Sequence, residues 1–260
     1  MVKEAGALII CGRGADLGDF KAYADDLVST ELKSRFGSKI SIESTFYRDE
    51  FFDLIEQFGG KFSIKEFHIF SHSYGAALSI GYYEPVLNRE RSVTIDSFAR
   101  FGRRTPYLTV LNSERGMVFC DDFVRKPYED RKTGLQTLFD KGSIIKLWGC
   151  NSGIPNWVFS DPVDAAGTRW TTDPTASAQY YYWRALNEQR IPKPSIAQAF
   201  ANFFAVPVYA ATSGSHGEVK RNSTWITTDQ YRKSTGRWPT EKQILRLKPD
   251  RGDYKKFLPQ

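Results

Sequence analysis

Glu66-Phe67-His68-Ile69-Phe70-Ser71 is the stretch on which the fold turns. Phe67, Ile69 and Phe70 crowd into it without glycine or proline, and it stops at the loop Ser71-His72-Ser73-Tyr74-Gly75. A short apolar run bounded by turn residues reads as a buried strand. It is the third of its kind. Residues 7–11, Ala-Leu-Ile-Ile-Cys, form the first run and end at Gly12-Arg13-Gly14, and residues 39–46 alternate with Ile40 and Ile42 on one face. Between these strands lie two helical stripes. Phe20, Tyr23, Ala24, Leu27 and Val28 make the first, which stops at Gly37; Phe51, Leu54, Ile55 and Phe58 make the second, with Asp49 as its cap and Gly59-Gly60 as its end. The order β-α-β-α-β within 71 residues predicts right-handed crossovers and a parallel sheet.

The pattern resumes further on. Residues 82–131 yield only short strands, at residues 107–111 and 117–120. Leu135, Leu138 and Phe139 predict a short helix ended by Gly142, and residues 143–148 predict an apolar strand interrupted by Lys146. A second excursion, residues 151–194, contains a helix around residues 176–186. Ser195 then caps a helix with Ile196, Ala199, Phe200 and Phe203 on one side, which leads into a strand over residues 206–211. The expected fold is α/β with three layers, α/β/α: five parallel strands, helices on both faces and two insertions. One domain over residues 1–217 is expected, with a basic C-terminal extension over residues 218–260 packed on it or trailing it.

Composition narrows the class. A chain of 260 residues with 41% hydrophobic and 15% aromatic content can bury a core, which excludes a disordered or collagen-like polymer. No apolar run approaches the roughly 20 residues of a spanning helix, so no membrane span is expected. The apolar run at residues 5–11 flows into glycines with no small-residue cleavage site, and so reads as a strand and not as a signal peptide. Cys11, Cys120 and Cys150 are too few for a disulfide framework or a zinc cage. Synthesis in a reducing cytoplasm is expected, with export lacking an N-terminal mark, as for a toxin or effector, left open. The net charge of +6 lies wholly in residues 218–260, which carry eleven Lys or Arg against five Asp or Glu. Those charges are interleaved with Trp225, Tyr231, Trp238, Ile244, Leu245 and Leu247, as on the solvated face of a packed segment, so nucleic acid is not expected as a partner.

The chemistry is expected at one edge. In a parallel sheet the loops after the strands emerge together, so residues beyond the strand ends converge whatever their separation in sequence. Those loops hold Cys11, then Ser71-His72-Ser73-Tyr74-Gly75, then Gly149-Cys150-Asn151-Ser152-Gly153, then Ser213-Gly214-Ser215-His216-Gly217. Adjacent strands are about 4.8 Å apart, a gap that His72 and Cys150 can bridge if their strands are neighbours. Cysteine attacks as its thiolate, and a neighbouring imidazole raises that fraction and later protonates the leaving group. Gly149 and Asn151 flank the thiol where a substrate backbone would approach, and the backbone around Ser73 and Gly75 offers N–H groups to an oxyanion. Equally, the residues fit a small buried cysteine at a strand end and a loop histidine with a satisfied hydrogen bond.

The segments Phe67-His68-Ile69-Phe70-Ser71-His72-Ser73-Tyr74-Gly75 and Ile144-Ile145-Lys146-Leu147-Trp148-Gly149-Cys150-Asn151-Ser152-Gly153 together resemble the caspase-like cysteine peptidases, especially their bacterial branches with separase-like and CHAT-type domains. In that family a histidine, usually followed by glycine, succeeds one apolar strand, and the nucleophilic cysteine succeeds the next core strand. The resemblance covers roughly residues 5–155 and, more loosely, the strand ending near Ala211. It implies a peptidase acting on peptide or protein without metal or organic cofactor, with His72 as general base and acid and Cys150 as nucleophile. Ser73 departs from the pattern, standing where the glycine is expected, though it retains a backbone N–H.

The same segment supports a rival. Ser71-His72-Ser73-Tyr74-Gly75 is one residue from the Gly-x-Ser-x-Gly elbow and looks like the α/β-hydrolase family, which would make the protein a serine esterase or lipase. Ser73 would be the nucleophile, His216 the base, and Asp161 or Asp164 the acid. Against it, Gly81 and Pro85 leave little room for the helix that must follow an elbow, and Leu78 and Ile80 alternate as in a strand. A non-catalytic binding module is the third class. Gly12-Arg13-Gly14 reads as a turn and not as a phosphate loop. Tyr180, Tyr181, Tyr182 and Trp183 read as a helix packed on the sheet, and His68 as a packed histidine; no histidine and carboxylate spacing suits a metal.

Overall fold

The computed structural model describes residues 3–12, 17–73, 75, 77–81, 116–155, 194–240, 243 and 246–260. From the N-terminus run β1 (Ala5–Gly12), α1 (Leu17–Leu27), a π turn (Val28–Leu32), α2 (Lys33–Phe36), β2 (Ile40–Thr45), α3 (Arg48–Lys61) and β3 (Ser63–Phe70). Three short strands follow, β4 (His72–Ser73), β5 (Ala77–Ser79) and β6 (Met117–Phe119), which pair antiparallel. A 3-10 turn (Cys120–Val124) and α4 (Tyr128–Gln136) precede β7 (Phe139–Leu147), and α5 (Ile196–Phe204) precedes β8 (Val208–Ala210). The chain closes with β9 (Ser215–Arg221), β10 (Thr224–Thr227), α6 (Thr228–Thr235), β11 (Arg246–Pro249) and β12 (Lys255–Phe257).

The central sheet has six strands in the order β12-β8-β7-β3-β1-β2. Five are parallel, and β12 pairs antiparallel with β8 at the edge. Strands buried on both faces read as continuous apolar runs, and β1 shows why. Its Leu8 and Ile10 join a core with Phe51, Phe52, Phe67, Leu147, Phe200 and Phe204, while Ala7, Ile9 and Cys11 join a second core with Phe20, Tyr23, Leu27, Leu32 and Phe36. Helices α3, α4 and α5 therefore cover one face, and α1 and α2 the other. Truncating a fully buried ring such as Phe52 to Ala costs about 3–5 kcal/mol.

Register levels the sheet where it matters. Cys11 is opposite Phe70, Ile69 opposite Leu147, and Leu147 opposite Ala210, so the loops after β1, β3, β7 and β8 leave one edge together.

Several local expectations are corrected. Asp49 does not cap α3, whose cap position is Tyr47; Asp49 lies in the first turn and accepts the Tyr128 hydroxyl. Gly59 and Gly60 are the two residues before the last of α3, which ends at Lys61, and Gly59 lies against Leu138 so closely that a Cβ would meet its Cβ at 2.9 Å. The helix read from Leu135, Leu138 and Phe139 lies earlier, at α4, and Gly142 is an irregularity within β7, with φ of 74°. The division at residue 217 falls inside β9; the extension pairs with β9 through β11 and adds β12 to the main sheet. The strand at residues 107–111, the helix around residues 176–186 and its aromatic set lie outside the described residues. No described helix is long and apolar enough to cross a membrane.

Candidate functional site

Beyond the sheet, the chains leaving β3 and β7 stay side by side. The Trp148 N–H donates to the Ile69 carbonyl at 2.9 Å. One residue on, a Cβ at Gly149 would lie 2.7 Å from the Ser71 carbonyl oxygen and 2.6 Å from the Ser73 Cβ. Only glycine permits that approach. His72 and Cys150 follow directly, and both line one cavity of about 200 Å³, walled further by Phe20, Tyr23, Trp148 and Leu247.

The thiol is held from the far side. The Ser215 N–H, at the start of β9, donates to the Cys150 Sγ at 3.2 Å. Burial pushes the thiol above its ordinary range, with the Asp250 carboxylate adding to the rise; the Ser215 backbone and hydroxyl oppose it without cancelling it. Cys150 is therefore a thiol at neutral pH, and a nucleophile forms there only as its proton leaves. His72, half-buried on β4, meets Phe20 edge-on with ring centroids 5.3 Å apart.

The expected oxyanion and substrate contacts divide. Gly149 lines the cavity. Asn151, with φ of 58°, spends its N–H on the Ser213 carbonyl at 2.7 Å, so that donor is not available to an oxyanion; its Oδ1 is buried without a partner among the described residues. Gly75, with φ of 91°, accepts the Ile196 N–H at 2.7 Å and so ties the loop to the start of α5. Ser73 is 1% exposed, and its hydroxyl donates to the Ala77 carbonyl at 3.0 Å.

The serine arrangement finds little support in this geometry. Ser73 is not among the residues lining the cavity, and β4 turns back into β5 where an elbow requires a helix. His216 Nδ1 lies 2.7 Å from Asp250 Oδ1, and its Nε2 lies 3.5 Å from Glu218 Oε1. Along β9 it alternates with Ser215 and Gly217, which face the cavity, so its ring points to the other side. Asp161 and Asp164 lie outside the described residues. Cys11 is fully buried, its thiol pushed up to about 12 by burial, and packs as a small apolar group. Among the described residues no group of three His, Cys, Asp or Glu side chains is placed to hold a metal.

Sequence reading missed two features. Ser215 is the first. The second is a polar chain crossing β3 and β7 beneath the cavity wall. Trp148 Nε1–H donates to His68 Nδ1 at 3.3 Å, which leaves the proton on His68 Nε2 facing Glu66 Oε2 at 3.2 Å, and Glu66 takes a two-pronged bond from Arg35. Burial holds His68 below its ordinary pKa, hence neutral. Burial alone would raise Glu66, but the hydrogen bonds from His68 and Arg35 outweigh it and hold the carboxyl low. Trp148 also stacks on Phe70 at 5.0 Å and carries the Lys146 ammonium 3.7 Å above its ring, with the Tyr254 ring 4.3 Å from that ammonium. The signal was the recurrence of polar or hydrogen-bonding residues at every second position, Glu66 with His68 on β3 and Lys146 at the end of β7 with Trp148 just beyond it. The chain fixes a cavity wall two residues before Cys150.

Comparison with protein-family models, with curated proteins and with solved structures finds no match to this chain.

Proposed function

We propose that the protein is a cysteine hydrolase of caspase-like type, acting on peptide or protein by acyl transfer, with Cys150 as nucleophile and His72 as general base and acid. The observation that carries this is the presence of both side chains on the wall of one cavity at the edge where the parallel strands end. The resemblance of the two strand-and-loop segments to that family supports it further.

The chemistry begins with the proton still on the Cys150 sulfur. His72 takes the thiol proton as Cys150 Sγ attacks the substrate carbonyl carbon, and the imidazolium gives that proton to the departing amine as the C–N bond breaks. A thioester remains. Water adds to it, with His72 accepting one proton, and collapse of the adduct releases the acid and restores the thiol. Acyl transfer of this kind requires neither metal nor organic cofactor. Gly149 holds the turn that carries the thiol tight against the Ser71 to Ser73 segment that carries the imidazole.

A second reading, a binding module that keeps the cavity without turnover, is favoured by one observation, the upward shift of the buried Cys150 thiol. A panel of peptidyl coumarin amides separates the two. Cleavage by the intact protein is expected, with a loss of about 10³-fold or more in Cys150→Ala and in His72→Ala. Full activity in Cys150→Ala refutes Cys150 as the nucleophile, and no cleavage by the intact protein decides for the binding module.

A further inference from the structure

We infer that the cavity beside Cys150 selects an uncharged, apolar side chain of leucine or phenylalanine size on the substrate residue whose carbonyl is attacked. This rests on the assignment of Cys150 and His72 above and adds the class of residue they act on. The walls are Phe20, Tyr23, Trp148 and Leu247, and apart from the His72 imidazole no titratable cation or carboxylate is among the described residues lining the space. The nearby charges are already engaged. Asp250 lies 2.7 Å from His216, and the Lys146 ammonium sits between the rings of Trp148 and Tyr254.

Size and desolvation both point the same way. An apolar cavity of about 150 Å³ admits benzene, so the roughly 200 Å³ here takes a phenyl or branched aliphatic group with little room to spare. An Asp, Glu, Lys or Arg side chain would give up part of its water in this space and meet no counter-ion among the described residues, a cost that disfavours it. The wall does hold one unmet polar demand of neutral kind. Ser71 lines the cavity, and its Oγ is buried with no hydrogen-bond partner among the described residues, a demand that a neutral substrate amide can meet.

Four peptidyl chloromethyl ketones that differ only in the residue beside the ketone, Phe, Leu, Asp or Arg, test this on the intact chain, with inactivation rates followed by mass and the label mapped. The Phe and Leu reagents are expected to alkylate Cys150 about 100-fold faster than the Asp and Arg reagents. Leu247→Arg, on the half-buried β11 wall, is expected to narrow that gap for Asp by at least about tenfold. An Asp or Arg reagent that equals or outruns Phe and Leu at Cys150 overturns the specificity while leaving the Cys150 assignment standing. Failure of all four to label Cys150 in folded protein overturns both.

Discussion

The backbone N–H of Ser215 points at the Cys150 sulfur across 3.2 Å, joining the turn after β7 to the first residue of β9. A donor aimed at sulfur favours the thiolate, whereas burial of the same atom favours the thiol, and burial prevails. The strand that steadies the thiol belongs to a small antiparallel sheet with β10 and β11, so the site is completed from outside the parallel core.

Removing the Ser215 hydroxyl should raise the thiol pKa further while leaving the backbone donor in place. The hydroxyl makes no hydrogen bond of normal geometry among the described residues, but it is buried beside the sulfur and favours the thiolate, and a polar contact worth about 1 kcal/mol changes the thiolate fraction roughly fivefold. Ser215→Ala is expected to slow iodoacetamide alkylation of Cys150 at pH 7 by about that factor. An unchanged or faster rate contradicts it.

Gly149 and Gly60 make a matched pair of opposite sign. Alanine at 149 must displace the Ser71 carbonyl and the Ser73 side chain, both buried, and is expected to cost about 1–3 kcal/mol in urea unfolding and to abolish activity. Gly60, in α3 with nothing within 4 Å of a built Cβ, should gain up to about 1 kcal/mol as alanine. Equal tolerance at both positions contradicts the close packing of the two loops.

Acid should weaken the fold in two stages. His68 is held neutral below its ordinary 6.5, so the unfolded chain takes up that proton first as pH falls, and stability declines from about that pH downward. Glu66 is held below 4.5, so a second loss follows as pH falls through its folded value. His68→Gln, which can still accept from Trp148 and donate to Glu66, is expected to remove the first stage and keep the second. Urea midpoints from about pH 7.5 down to where the Glu66 carboxyl is protonated read both stages, and an unaltered first stage assigns the decline elsewhere.

Lys146 acts in the opposite range. Burial pushes its ammonium from 10.5 down to about 8, against the pull of the two aromatic faces, so the unfolded chain holds more protons between those values. Stability should therefore rise with pH from about 8 to 10.5, and Lys146→Met should flatten that rise. A rise of equal size in the variant contradicts the assignment.

Four of the five parallel strands were legible as apolar runs and the fifth, β2, by its alternation of Ile40 and Ile42 with polar residues. The sixth, β12, was not: Lys255-Lys256-Phe257 is short and basic, and only pairing with β8 makes it a strand. α4 was shifted in the reading because Tyr128 and Leu135 alone among its residues are buried, too sparse a stripe to betray a helix. The convergence of His72 and Cys150 follows from strand order, which the β-α-β pattern carries. Ser215 was placed in the right loop without its role, since a backbone N–H leaves no mark in residue type. His68 reads as a packed histidine from either end, but its bond to Trp148 needs the register of β3 against β7.

The account depends on His72 accepting the proton that Cys150 must lose. The most direct measurement is the rate of Cys150 alkylation by iodoacetamide as a function of pH, in the intact protein and in His72→Ala, with the site of label confirmed by peptide mapping. The account predicts measurable alkylation at neutral pH in the intact protein, and in the variant a loss of at least about tenfold, with the reaction recovered only at pH above the ordinary thiol range. Superimposable profiles for the two proteins would show that the imidazole and the sulfur do not act as a pair.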